Sequence, residues 1–156
     1  NSKKAGITTG AYHFMSFESP GVDQAKNYIK TVPKEKDSLP PVVDFEYYGK
    51  FEKNHPSQET VDKILKPLLK KLKDHYGKDP IIYVNSNMYK KYISGKYKNR
   101  IWLADLKAPK KLPDGRSWEF LQYSFNSKLT KYAGGIPHLD LNVFRGSRFS
   151  FAAKYL

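Results

Sequence analysis

The sequence predicts an α/β fold built from parallel βαβ units, of the β/α-barrel type. Three observations carry this prediction. Short apolar segments alternate with amphipathic helical segments from Gly10 to Asp105, the rhythm of strands joined by crossover helices. The strands read as near-continuous apolar runs, such as Pro41-Val42-Val43, which suits burial on both faces. Polar residues collect where those runs end: His13, Asp44 and Glu46, Asn85, Asp105 and Gln122. Strand C-termini are where a β/α barrel carries its site. An open doubly wound sheet is the alternative. Against it, the chain has no Gly-rich phosphate loop of the GxGxxG or GxxxxGK type.

Taken in order, Asn1 to Gly6 reads as the tail of a helix ending at Gly6, and Gly10-Ala11-Tyr12-His13-Phe14 as a short strand. Asp23 is the candidate cap of a helix with Ala25, Tyr28, Ile29 and Val32 on one stripe, stopped by Pro33. Leu39 to Glu46 is the second strand. Ser57 caps a long helix in which Val61, Ile64, Leu65, Leu68, Leu69 and Leu72 keep the i, i+3, i+4, i+7 spacing, ending at Gly77. Pro67 lies inside that pattern and is expected to kink or divide it. Pro80 to Asn85 is a third strand. A short helix with Met88, Tyr89, Tyr92 and Ile93 ends at Gly95, and Ile101 to Asp105 is a fourth strand. Residues 106–117 form a Pro/Gly/Lys-rich loop. The fifth strand, Phe120-Leu121-Gln122-Tyr123, lies within Trp118 to Ser124. The sixth, Asp140 to Phe144, is entered through Gly134-Gly135-Ile136-Pro137. No helix-length segment is evident between these two, so they are expected to be antiparallel or joined by a loop.

The 156 residues suit one domain with a real core. Twelve Tyr, nine Phe and two Trp fit a sugar-binding groove as well as a packed interior. The absence of Cys excludes a disulfide framework, a thiolate nucleophile and a Cys-based zinc site. No signal peptide and no apolar run near membrane-spanning length is evident. His13, His55, His75 and His138 are scattered without metal-ligand spacing, so neither a metal nor another cofactor is expected. The net charge of +13 favours polyanionic partners. Nucleic acid is one class, and an anionic cell wall or membrane is another. The lysines are spread over helix faces and loops, with no helix-turn-helix, zinc-finger or single-strand-binding signature, so specific nucleic-acid recognition is not expected.

The informative stretch is Leu39-Pro40-Pro41-Val42-Val43-Asp44-Phe45-Glu46. Strand alternation sends Asp44 and Glu46 to one face and Phe45 to the other. Two like charges on one face raise each other's pKa, which suits a proton donor working beside a second carboxylate. Burial among Phe45, Tyr12 and Tyr83 is expected to push Glu46 the same way. Strand rise puts the two Cα atoms roughly 6.5–7 Å apart, which does not decide between retention and inversion. His13, next to Tyr12, should point to the opposite face. Asp105 suits either the groove or an exposed loop, and Trp118 the core.

These segments fall in an order that resembles the family 25 glycoside hydrolases, the lysozymes (N-acetylmuramidases) of phage endolysins and bacterial autolysins. The matching runs are Gly10-Ala11-Tyr12-His13-Phe14, Gln24-Ala25, Leu39 to Glu46, Ile82-Tyr83-Val84-Asn85, Ile101-Trp102-Leu103-Ala104, Trp118 to Ser124 and Asp140-Leu141-Asn142. The resemblance implies a flattened, TIM-like β/α barrel of parallel strands followed by antiparallel ones. It implies hydrolysis of the β-1,4 bond between N-acetylmuramic acid and N-acetylglucosamine in peptidoglycan, with anionic wall polymers as further partners and the bacterial wall as the place of action, reached by secretion or phage release. By position, Glu46 resembles the general acid. Asp44 resembles its partner, orienting or stabilising the 2-acetamido group in a substrate-assisted mechanism. Asp140 resembles the acid at the tip of the last strand. Tyr12, Tyr83, Trp102, Gln122 and Asn85 resemble substrate-binding positions. The family pattern also has, ahead of the Gly-Ala-Tyr-His-Phe strand, two strands and an Asp-x-Ser motif with no counterpart here. An N-terminally incomplete barrel with open edges is therefore expected, with a binding remnant of the same fold, and then a basic nucleic-acid-binding domain, as competing readings.

Overall fold

In the computed structural model, which describes residues 2–127 and 139–156, six strands form one curled half-barrel sheet in the order β1-β2-β3-β4-β5-β6. The strands are β1 (Tyr12–Phe14), β2 (Val42–Phe45), β3 (Ile81–Asn85), β4 (Ile101–Ala104), β5 (Phe120–Ser127) and β6 (Leu139–Phe144). The first five are parallel and β6 runs antiparallel to β5. This is the predicted α/β class, with parallel strands followed by an antiparallel pair. Helices α1 (Gly21–Thr31), α2 (Gln58–Tyr76) and α3 (Ser86–Met88, continued by a wider turn over Tyr89–Ile93) make the first three crossovers. The β4–β5 connection is a loop. Helix α4 (Arg148–Tyr155) follows β6 and was not legible in the sequence pattern.

One face of the sheet carries the core. Val43, Phe45, Ile82, Val84, Leu103 and Leu121 point to it and are buried with Leu65, Leu68 and Leu72 of α2 and Ala25 and Tyr28 of α1. Tyr28 also donates its hydroxyl hydrogen to Ala11 O at 2.8 Å, tying α1 to the start of β1. The other face carries the alternate residues and is only partly covered. At the β1 edge Tyr12 is 68 % exposed and Phe14 43 %. Among the described residues β1 is paired on one side only, by β2.

Three local expectations need correction. Pro67 does not divide α2, which runs unbroken through it. The carbonyl it deprives of a partner belongs to Lys63, on the exposed side where water can take over, while Ile64, Leu65, Leu68 and Leu69 hold both halves against the core. Asp23 does not cap α1, which starts two residues earlier at Gly21 after Pro20; Asp23 lies in the first turn, where its charge complements the helix dipole. Among the described residues of the first segment, Ser2 to Gly6, the helical part is a single 3-10 turn (Lys3–Ala5), ended by Gly6 in the left-handed region at φ 71°. The cap at Ser57 holds, its side chain accepting from the Thr60 N–H at 3.1 Å.

Gly21 sets the distance between α1 and α2. A Cβ there would lie 1.9 Å from the backbone oxygen of Ile64. Backbone cannot swing aside as a side chain can, so Gly21→Ala should separate the two helices and lower stability by about 3 kcal/mol, measured by urea unfolding.

Candidate active site

Alternation along β2 builds the site. Val43 and Phe45 are buried in the core, so Val42 and Asp44 face the open side, and Glu46, the first residue beyond the strand, follows them. Parallel register then sets Asp44 beside Tyr83 and Tyr83 beside Trp102. One residue pair further along, Gln122 sits between Ala104 and Asn142. Tyr12, Val42, Asp44, Glu46, Tyr83, Trp102, Gln122, Asp140 and Asn142 line one groove of about 270 Å³. The three acids singled out in the sequence therefore share one cavity with four of the five proposed binding positions.

Asn85 stands apart from that group. Its Oδ1 accepts from the Met88 N–H at 2.9 Å, capping α3, and the residue lines a neighbouring depression. Asn142 and Val42 are groove residues the sequence reading did not single out. Asn142 carried a signal, since it stands i, i+2 from Asp140 on a strand and so shares its face. Val42 carried none beyond its parity with Asp44.

The walls are fixed by hydrogen bonds among themselves. The Tyr83 hydroxyl donates to Gln122 Oε1, and Gln122 is only 4 % exposed. Trp102 donates its indole N–H to Asn142 Oδ1 at 2.9 Å. The Tyr83 and Trp102 rings meet edge to face at 5.5 Å. Burial, and then the charges of Glu46, Asp44 and Asp140, push the Tyr83 phenol upward, so it stays a neutral donor.

The carboxyls differ in their surroundings. Burial, and secondarily Glu46, push Asp44 up to about 7. Glu46 is raised by burial first and by Asp140 second. Phe45, expected to help bury Glu46, faces the core instead; the charge that acts on Glu46 comes from across the groove. Asp44 Oδ1 is buried and has no hydrogen-bond partner among the described residues. A buried acceptor left unpaired costs about 1–3 kcal/mol, so this oxygen is poised to accept a hydrogen bond.

Supporting contacts hold the frame. His13 does turn away from the groove, its Nε2 lying 2.8 Å from Gln24 Oε1, and Gln24 also bonds the Ser16 and Ser19 backbone. Beyond Glu46, the Tyr47 hydroxyl donates to that of Tyr92 at 2.9 Å, and the Phe17 N–H donates to the Tyr48 hydroxyl at 3.0 Å. Trp118 packs on the core and donates to Pro109 O at 2.7 Å. Asp105 accepts from Ser86 Oγ and the Lys107 N–H. Among the described residues no group of three or more His, Asp or Glu could hold a metal ion, and no helix is long and apolar enough to cross a membrane. His138 and the Gly134-Gly135-Ile136-Pro137 approach to β6 lie outside the described residues.

Comparison with known proteins places this geometry. Residues 1–131 match the family described as glycosyl hydrolases family 25. A solved family 25 glycosyl hydrolase from Bacillus anthracis is 39 % identical, with a TM-score of 0.92 over all of this chain and 72 % of that one. A bacterial lysozyme from Streptomyces coelicolor shares the fold at 23 % identity, with a TM-score of 0.79 over 99 % of this chain and 75 % of its own. The uncharacterized protein YegX of Escherichia coli K12 is 30 % identical over 148 residues, 94 % of this chain. The chain spans about half (51 %) of that curated relative's length.

Proposed function

This chain belongs to the glycosyl hydrolases of family 25, and from that membership we propose that its groove cleaves the β-1,4 bond between N-acetylmuramic acid and N-acetylglucosamine in peptidoglycan. The observation that carries the reading is Asp44 Oδ1, a buried acceptor without a partner among the described residues, beside a glutamate whose pKa is raised. An N-acetyl sugar supplies what this oxygen lacks, an amide N–H.

The roles follow from the surroundings. Glu46, whose pKa is raised by burial and then by Asp140, gives its proton to the glycosidic oxygen as the C1–O bond breaks. Asp44 accepts the acetamido N–H, which turns the acetamido oxygen toward C1. That oxygen bonds C1 as the leaving group departs. Water then adds at C1, Glu46 carboxylate takes its proton, and the acetamido group is restored. Such substrate assistance does not depend on the carboxyl separation that distinguishes retaining from inverting pairs. Asp140 steadies charge at the far wall. Tyr12, Tyr83, Trp102 and Gln122 bind sugar, with the Trp102 and Tyr12 rings offering faces to pyranose C–H groups.

Residues 1–156 act as one catalytic unit at the bacterial wall, where the net charge of +13 draws the chain to anionic wall polymers. A second reading, a wall-binding domain with weak catalysis, is favoured by the exposure of Tyr12 on β1, next to the acids. One experiment addresses both. Incubation with purified cell walls should release reducing ends, and mass spectrometry should find muramic acid at the new reducing termini. Binding to walls without such release supports the second reading, and glucosamine at the new termini overturns the assigned bond.

A further inference from the structure

A second depression, about 650 Å³, lies over the C-terminal ends of β3 and β4 beside the proposed cleavage groove. Its walls come from Tyr47 and His55 on the β2 side, Asn85 and Ser86 at the start of α3, Leu106 and Lys107 after β4, and Phe125 on β5. It adjoins the groove directly: Tyr47 follows Glu46 in the chain, and Asn85 stands in the same strand row as Gln122, through Ala104.

Its chemistry differs from that of the groove. The groove offers carboxylates and ring faces to a neutral, hydroxyl-rich chain. Here the one carboxylate, Asp105, is engaged by Ser86 Oγ and by the Lys107 N–H, and Asn85 Oδ1 is engaged as a cap. One face of Tyr47 is covered by His55, whose ring stacks on it at 4.1 Å and 3°. What remains is apolar and cationic. Leu106 is 68 % exposed and Phe125 43 %. The Lys107 ammonium makes no ion pair among the described residues. Lys91 brings a second ammonium to 3.3 Å from His55 Nδ1. Exposed apolar side chains beside cations that have no carboxylate partner among the described residues fit a ligand that carries both methyl groups and carboxylates. The glycan itself carries acetamido and lactyl methyl groups and, where the peptide is removed, a single lactyl carboxylate per muramic acid, but no run of methyl side chains with several carboxylates. A short acidic peptide rich in alanine carries both.

We propose that this depression holds the acidic stem peptide attached to the lactyl group of muramic acid, so that the chain selects peptide-bearing over bare glycan. The inference rests on the peptidoglycan reading of the groove, since only that substrate hangs an acidic peptide next to the scissile bond. Lys107 and the Lys91–His55 pair meet the peptide carboxylates, and Leu106 and Phe125 meet its methyl groups. The contribution is to positioning and selectivity, and none of these side chains touches the reacting atoms.

The test compares soluble glycan chains bearing stem peptides with the same chains stripped of peptide by an amidase. Wild-type kcat/KM should be about tenfold higher on the peptide-bearing chains, a difference of about 1.4 kcal/mol. The double variant Leu106→Ser/Lys107→Glu, at exposed positions outside the core, should lose that preference while its turnover of stripped chains stays unchanged. Equal wild-type kcat/KM on both substrates, or a preference that survives the double variant, overturns the inference and leaves the hydrolase reading standing. Failure to cleave either substrate overturns the hydrolase reading instead. The stem site is then read by calorimetry on the Glu46→Gln protein with a disaccharide-peptide and the bare disaccharide. Tighter binding of the peptide form, lost in the added double variant, supports the inference, and equal binding overturns it.

Discussion

Glu46→Gln should lower the release of reducing ends from cell walls by about a thousandfold, in line with the contribution of a positioned general acid. Gln keeps the size and hydrogen-bonding reach of Glu but holds no transferable proton, so KM for a soluble glycan should change less than twofold. A kcat within tenfold of wild type would place the acid elsewhere. The pH profile gives an independent reading. Glu46 must be protonated to act, and its pKa lies above the ordinary glutamate value because of burial and Asp140. The basic limb of kcat/KM should therefore fall as pH rises through that elevated value. Asp140→Asn removes the second cause and should move the limb to lower pH. The shift is the diagnostic, because a purely structural role for Asp140 would lower activity without moving the profile.

Asp44→Asn should have opposite effects on activity and stability. Activity should fall by about a hundredfold, since a neutral amide no longer stabilises the developing charge on the acetamido group. Stability should rise at neutral and alkaline pH. The folded-state pKa of Asp44 is raised to about 7 by burial and Glu46. Between its ordinary value near 4 and about 7, the folded state holds more protons than the unfolded state, so stability declines as pH increases through that window. Below it the group is neutral in both states and costs nothing on this account. With allowance for solvent screening at a partly exposed site, the gain in the variant at pH 8 should be about 2 kcal/mol, vanishing near pH 3. Urea unfolding across that range checks both ends. A variant less stable than the parent at pH 8 would show that the Asp44 carboxylate is held by partners that make its charge favourable.

The two predictions draw on different layers of the molecule. That Asp44 and Glu46 share a face was legible from strand parity alone, because side-chain alternation is a property of the extended backbone. The Ser57 cap and the apolar stripe of α2 were legible for the same local reason. The cause of the Glu46 shift was only half legible. Burial was anticipated, but Phe45 was assigned to it in error, and the acting charge, Asp140, lies 94 positions further along the chain and reaches the groove only when β6 pairs with β5. Pro67 does not divide α2, because Leu65, Leu68 and Leu72 pack on the core and hold the helix across it, a contribution that a local rule about helix interiors does not contain. Helix α4 escaped notice because its aromatic residues, Phe149, Phe151 and Tyr155, do not form a clean stripe: Tyr155 is buried against Phe120 and Phe144, while Phe149 is 86 % exposed.

By itself, then, the sequence determined the alternating α/β rhythm, the family to which the chain belongs, and the identity and common face of the β2 acids. Each is encoded in short-range pattern: hydrophobic period, caps, and motifs in a given order. Tertiary structure alone decided that the acids, Tyr83, Trp102, Gln122 and Asn142 form one groove. It also left Asp44 Oδ1 buried without a partner among the described residues, and it moved Asn85 out of the groove into a depression of different chemistry. Those outcomes depend on strand register and on what each buried atom meets across the sheet, and such long-range contacts leave no periodic trace in the chain.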